Sequence, residues 1–192
     1  MYPATATAVA VLCLASSLAM AQVEVAIEYG YTVFIDSFVP AAWFVTSFPD
    51  EIERLDTGAF DSEGGPYWVR SGEKFNVWTR PVDGAVPTCR FFGFGDHLYT
   101  PYAAECATLR ASPDWTYEGI VFYLKLPDEN GNCPPGTTIL YRLFNHGHDE
   151  NTNPMHRLTT SARTLDAYVR FRQWVPEGDA RTSAFACTPT SR

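Results

Sequence analysis

The chain has 192 residues, a net charge of −8, 15% aromatic residues, 14 prolines and five cysteines. The acidic balance argues against DNA, RNA and anionic membranes as partners, because affinity for them comes from Lys and Arg neutralising phosphate. The aromatic and proline content favours strands and turns over a helical bundle.

Residues 4–21 carry no charge and include an apolar run that ends in Ala19-Met20-Ala21. Small residues at positions −3 and −1 of a signal-peptidase site make 1–21 the expected signal peptide, with Gln22 as the first mature residue. The apolar run is shorter than the roughly 20 residues a membrane span needs. Cys13 follows Leu12 and not a small residue, so it reads as part of that run. No later segment is apolar enough to cross a bilayer, and the mature protein is expected to be secreted or periplasmic, without membrane insertion.

Four cysteines remain after that cleavage: Cys89, Cys106, Cys133 and Cys187. An even number in an exported chain reads as two disulfides, although sequence leaves three connectivities open. Zinc is the rival, but no two of these cysteines lie close together as in a C-x-x-C pair. About 170 mature residues suit one domain with a real core, spanning 22–192.

Repetition organises the mature chain. Thr46, Thr100 and Thr159 are each followed six residues later by Ile52, Cys106 and Leu165, and further on by Trp68…Gly72, Trp115…Gly119 and Trp174…Gly178. Pro81, Pro127 and Pro189 close the three copies, at about 22–82, 83–135 and 136–192. Within each copy two short β segments precede a helix of two to three turns, with Ser47, Thr100 or Thr160 available as N-cap and Pro49 or Pro101 in the first turn. The apolar helix positions are Ile52 and Leu55, then Ala103, Cys106 and Leu109, then Leu165, Tyr168 and Val169. A closing strand follows each Trp-x-x-x-Gly segment. The expected fold is therefore α+β: three degenerate strand-strand-helix-strand repeats packed as one pseudo-threefold domain. By alignment of the copies Cys106 faces the core from its helix, and the expected bridges are Cys106–Cys133 and Cys89–Cys187.

The motifs Cys89-Arg-Phe-Phe, His97-Leu-Tyr-Thr, Trp115-Thr-Tyr-Glu-Gly-Ile, Tyr141-Arg-Leu-Phe-Asn and His156-Arg-Leu-Thr-Thr closely resemble a repeat of unknown function. That repeat occurs in exported bacterial and some fungal proteins, alone or beside secreted peptidases and cell-wall hydrolases. The resemblance covers nearly the whole mature chain and implies no activity beyond a surface-binding accessory role. It departs at Ala42-Trp43, where members usually offer a histidine.

His97 and His156 occupy one repeat position, and Glu118 and Glu177 another. If the second strand of a copy lies beside the third, each His meets its Glu. Such a pair is either a ligand subsite, with Tyr99, Trp115, Tyr117 and Trp174 supplying rings, or a packing hydrogen bond. The densest set of metal-ligand types is His146-Gly-His148-Asp149-Glu150, in a polar insertion that reads as a solvated loop. It lacks the helical H-E-x-x-H spacing, and no nucleophile elbow, P-loop or dinucleotide fingerprint occurs. Expected, then, is a non-catalytic domain with no metal or cofactor, binding a cell-surface or extracellular glycan or cell-wall polymer. A secreted hydrolase or metal-dependent enzyme using the loop or a His–Glu pair, and a structural or protein-interaction domain of the envelope, are the alternatives.

Overall fold

The computed structural model describes residues 22–32, 42–61, 63, 65–146 and 154–190. The expected signal peptide (1–21) and His148, Asp149 and Glu150 lie outside the described residues. In chain order the elements are β1 (Val23–Thr32), β2 (Ala42–Thr46), α1 (Pro49–Asp56), β3 (Tyr67–Trp78), β4 (Ala85–Gly93), β5 (Asp96–Thr100), α2 (Ala103–Ala111), β6 (Thr116–Lys125), β7 (Thr137–Phe144), β8 (His156–Thr159), α3 (Ala162–Arg172), β9 (Val175–Pro176) and β10 (Ala186–Pro189).

All strand pairings among the described residues are antiparallel. β1 lies between β2 and β3, β4 between β5 and β6, and β7 between β8 and β10, with β9 also on β7. Single register pairs join these groups: Trp78 with Tyr123, and Cys187 with Lys125. Strands from all three groups contribute to the largest core cluster, including Ala26, Val45, Phe75, Tyr99, Phe122, Leu140 and Leu158. The Tyr99 hydroxyl inside it accepts from the Val45 N–H at 2.8 Å and donates to the Val45 carbonyl at 2.9 Å. That satisfies a buried phenol and locks β5 to β2.

The α+β expectation of three strand-strand-helix-strand repeats is corrected here. The chain is β-rich: 46% of the described residues are strand and 19% helix. The helical periodicity is real but short, and it buries little. Leu55 and Cys106 are buried, Ile52, Leu109 and Leu165 only partly, and no α3 residue is buried. The core is made by strand residues, many of them aromatic or β-branched, which pack well on a pleated surface. The expected caps also shift. The N-cap positions are Phe48, Tyr102 and Ser161, and of these only Ser161 accepts a helical N–H through its side chain, from Thr164. Thr46, Thr100 and Thr159 act one step earlier, each hydroxyl accepting the N–H two residues on and turning strand into helix.

The disulfides are Cys89–Cys106 and Cys133–Cys187, with Cα separations of 6.1 and 5.5 Å, and the expected pairing is overturned. Cys106 does point inward from α2, into a buried cluster with Cys89 and Phe91 of β4 and Leu98 of β5. Cys133 precedes β7, and Cys187 sits on β10 beside that strand, opposite Ile139.

Charge is buried as well. Glu28 is fully buried on β1 and accepts from Arg157 of β8, at 2.7 Å from Nη2 and 3.0 Å from Nε, and from the Ser71 hydroxyl at 2.6 Å. Arg157 also lies 3.8 Å over Trp43 and 4.7 Å over Tyr168. Burial pushes the Glu28 carboxyl up against the pull of Arg157 and Ser71.

Two outcomes are expected. Non-reducing peptide mapping yields Cys89–Cys106 and Cys133–Cys187 peptides, and replacing the latter pair with alanine destabilises by about 4 kcal/mol through the longer loop it closes. Glu28→Ala, by leaving Arg157 buried without its carboxylate, costs about 3–5 kcal/mol in urea unfolding.

Candidate functional site

The feature most suited to a ligand is a groove of about 450 Å³ where β4, β5 and β6 meet β2, α1 and β3. Phe44, Phe60, Trp68 and Phe92 supply its rings, and Glu51, Arg90, His97 and Glu118 its polar groups. Strand alternation puts Arg90 and Phe92 on one face of β4. Register then sets His97 of β5 opposite Phe92, with ring centroids 4.9 Å apart. Phe44 meets His97 edge-on at 4.7 Å and lies under the Arg90 guanidinium at 4.8 Å.

Glu118 arrives through a bulge. Arg90 pairs with Gly119 and Phe91 with Tyr117, so Glu118 drops out of the ladder. Gly119 has φ +121°, a conformation that side chains oppose, and this turns the carboxylate toward Arg90. The glycine of the Trp-x-x-x-Gly pattern thus has a local reason in this segment.

Arg90 uses its whole fork. Nε donates to Glu118 Oε2 at 2.8 Å, and Nη1 and Nη2 donate to Glu51 at 2.9 and 2.7 Å. Thr46 adds a 2.5 Å hydroxyl bond to Glu51. Burial works to raise the Glu51 carboxyl, but the bonds from Arg90 and Thr46 prevail and hold it below the usual range. His97 is driven to about 3 by burial and then by the Arg90 charge, so it is neutral at physiological pH. Its Nε2 lies 3.6 Å from Glu118, and its buried Nδ1 has no hydrogen-bond partner among the described residues. The groove therefore holds one cation and two carboxylates, with the guanidinium 7% accessible and each carboxylate side chain 28%.

A second cluster has the same chemistry. Arg142 of β7 donates through Nη1 and Nη2 to Glu105 of α2 at 2.9 and 2.8 Å, and through Nε to Glu177 at 2.9 Å. Tyr102, Pro176 and Phe185 border a shallower groove there, of about 500 Å³. Beneath it His156 Nδ1 lies 2.7 Å from Asp96 Oδ2, which also accepts the His156 backbone N–H at 3.0 Å. Burial raises Asp96 to about 8 and lowers His156 to about 3. At neutral pH the pair thus holds one proton across this 2.7 Å contact, and His156 Nε2 lies 3.5 Å from Glu177.

Each His does approach its Glu, at 3.6 and 3.5 Å, but the hydrogen bond to each of these carboxylates comes from an arginine, Arg90 to Glu118 and Arg142 to Glu177. Strand order brings Arg90 there, since β4 lies between β5 and β6. Among the other expected site residues, Tyr99 is in the central core. Trp115 and Tyr117 pack with Cys89, Phe91 and Leu98 under α2, and Trp174 is buried beside Trp43 and Leu143. His97 and Glu118 share the first groove, while Glu177 lines the second with His156 buried behind it. Sequence reasoning missed Arg90, Arg142, Glu51, Glu105, Asp96, Phe44, Trp68 and Phe92. The available signal was an arginine interrupting an apolar strand in Cys89-Arg-Phe-Phe and again in Tyr141-Arg-Leu-Phe. His146 is exposed, and the described residues contain no group of three or more His, Cys, Asp or Glu able to hold a metal ion.

The Asp96–His156 pair gives stability a defined pH profile. From about pH 4 to 6.5 the folded pair and its unfolded counterpart each bind one proton, so the pair adds no slope. Above about 6.5 the unfolded imidazole is neutral and the unfolded carboxyl ionised, while folded Asp96 keeps its proton to about pH 8. Stability from this pair therefore falls by about 2 kcal/mol as pH rises through that window. Asp96→Asn, which imitates the protonated acid, is expected to keep the fold and remove this decline in melts taken from pH 6 to about pH 9.

No curated protein and no solved structure matches this chain. A family model does match, over residues 94–189, from the β4–β5 turn through the end of β10. That span holds His97, Glu105, Glu118, Arg142, His156 and Glu177, while Arg90, Glu51, Phe44 and Trp68 precede it. With half of its length matched, the chain belongs to the family described as a domain of unknown function (DUF5648).

Proposed function

We propose that this protein is an exported, non-catalytic binding domain that holds a segment of a glycan in the groove formed by Phe44, Trp68 and Phe92. The observation that carries the reading is the pairing of rings with a fixed polar floor. Phe92 is 43% exposed and Phe60 42%, and with Phe44 and Trp68 they line one groove as a cluster of rings, not as apolar side chains scattered singly. Beside them Glu118 bonds Arg90 through Oε2 alone, and Oε1 has no partner among the described residues. Sugar rings present an apolar face for stacking and a hydroxyl edge for carboxylate and imidazole groups, so this surface suits both aspects of a saccharide. Each of the three Arg90 nitrogens donates to one of two carboxylates, and the residue serves as the scaffold of the floor. The lining supplies stacking and hydrogen bonds.

Export supports the reading. Both disulfides belong to an oxidising compartment, and a polymer outside the cell is accessible to a domain that works there. No helix among the described residues is long and apolar enough to cross a membrane.

Calorimetry with glucan and N-acetylglucosamine oligomers tests the proposal. Phe92→Ala is expected to weaken binding about tenfold, the loss of one stacking contact, while shifting unfolding by no more than about 0.5 kcal/mol. Phe171→Ala on α3, at a side chain 82% exposed and outside the groove, serves as the control and leaves affinity unchanged. Unaltered affinity in Phe92→Ala contradicts the assignment of the groove.

A further inference from the structure

We infer that the saccharide taken by the Phe44–Trp68–Phe92 groove is cationic, a polymer of deacetylated amino sugars whose ammonium group sits against Glu118; the inference rests on the glycan reading above. Three observations converge on a positive ligand. First, the charges of the floor do not cancel. Glu51 and Glu118 face one guanidinium, and the neutral His97 adds nothing, so the floor keeps one negative charge. Second, the carboxylates are the accessible partners. Arg90 is tucked behind them, each of its three nitrogens bonded to a carboxylate, whereas Glu118 Oε1 is free among the described residues. A neutral sugar meets that oxygen only through a hydroxyl, while an ammonium forms a charge-assisted hydrogen bond with it.

Third, the rings themselves favour a cation. Phe44, Trp68, Phe92 and Phe60 line one groove, and the face of an aromatic ring attracts positive charge. The site already shows this preference internally, with Arg90 over Phe44 and, at the rim, Arg54 over Phe60 at 4.2 Å. The bordering helix α1 adds Asp50 and Glu53 to the field against Arg54, Asp56 being paired with Arg70. The net charge of −8 extends it to long range and draws a polycation toward the surface. The second groove keeps the same balance, with Glu105 and Glu177 around Arg142, and gives a long polymer a second place of the same sign.

The test compares three hexasaccharides of one linkage type at about pH 6, below the range of an ordinary amine: glucosamine, N-acetylglucosamine and glucose. On the unaltered protein the glucosamine oligomer is expected to bind at least tenfold more tightly than the other two, and that advantage shrinks as salt rises from about 0.05 to 0.5 M. E118Q is expected to lower affinity for the glucosamine oligomer more than for the acetylated one, bringing their ratio toward one. The salt series needs no variant, so it decides the matter even if E118Q folds poorly. Equal affinity for all three oligomers, or a salt-independent preference, overturns the cationic ligand and leaves the glycan site standing. Binding of none of them overturns both.

Discussion

Three buried arginines set the terms on which this chain folds. Arg90, Arg142 and Arg157 are 6, 4 and 7% exposed, and each is bonded to a carboxylate brought from elsewhere in the sequence: Glu51, Glu105 and Glu28. A buried guanidinium without its partner is strongly unfavourable, so each pair allows one docking of the two elements that carry it. Arg90 holds α1 against β4, Arg142 holds α2 near β7, and Arg157 joins β8 to β1. Backbone pairing between the strand groups is thin by comparison, a single register pair at two of the junctions. The planar fork suits this role in a way that lysine does not, because three donors fix orientation as well as distance. Replacing such a pair by apolar side chains need not reduce stability; what the ions contribute is a defined arrangement.

The candidate groove follows from that constraint. An arginine that takes a carboxylate from a neighbouring element and a second from its own sheet leaves both acids at the edge of the core, partly wet. Around Arg90 the walls happen to be aromatic, from Phe44, Trp68 and Phe92, and the result is a polar floor ringed by apolar faces. Around Arg142 the walls are Tyr102, Pro176 and a buried Phe185, and the groove is shallower. Around Arg157 the rings of Trp43 and Tyr168 close over the guanidinium itself. One packing device thus yields a rimmed groove, a shallow one and a sealed one, according to which aromatic residues stand beside it.

Much of this was legible in part. Short strands, three short helices and inward-facing Cys106 follow from local pattern, and His97 and Glu118 stand out as polar residues in apolar company. What the pattern cannot carry is strand order. An alternation of period two says which face a residue occupies, but not which strand lies beside which. With β4 between β5 and β6, Arg90 and not His97 becomes the partner of Glu118, and Cys89 and not Cys133 the partner of Cys106. Glu51 and Phe44 were invisible for a related reason, since they reach the groove from another part of the fold, 39 and 46 residues before Arg90. Trp115 and Tyr117 lie apart from that groove. Their aromatic character suggested ligand stacking, yet alternation along β6 turns Tyr117 to the α2 side and Glu118 to the groove.

The claim that binding and architecture meet at Arg90 is tested most directly by chemical-shift mapping of the labelled protein during titration with an amino-sugar oligomer. The account predicts that resonances of Phe44, Glu51, Trp68, Phe92, His97 and Glu118 move together. It also predicts that the Arg90 Nε–H is already slow to exchange in the free protein and changes little on binding, because its carboxylate partners are in place beforehand. Shifts confined to the surface of α3 or to the loop between β7 and β8, or an Arg90 Nε–H that exchanges freely until ligand is added, would contradict it.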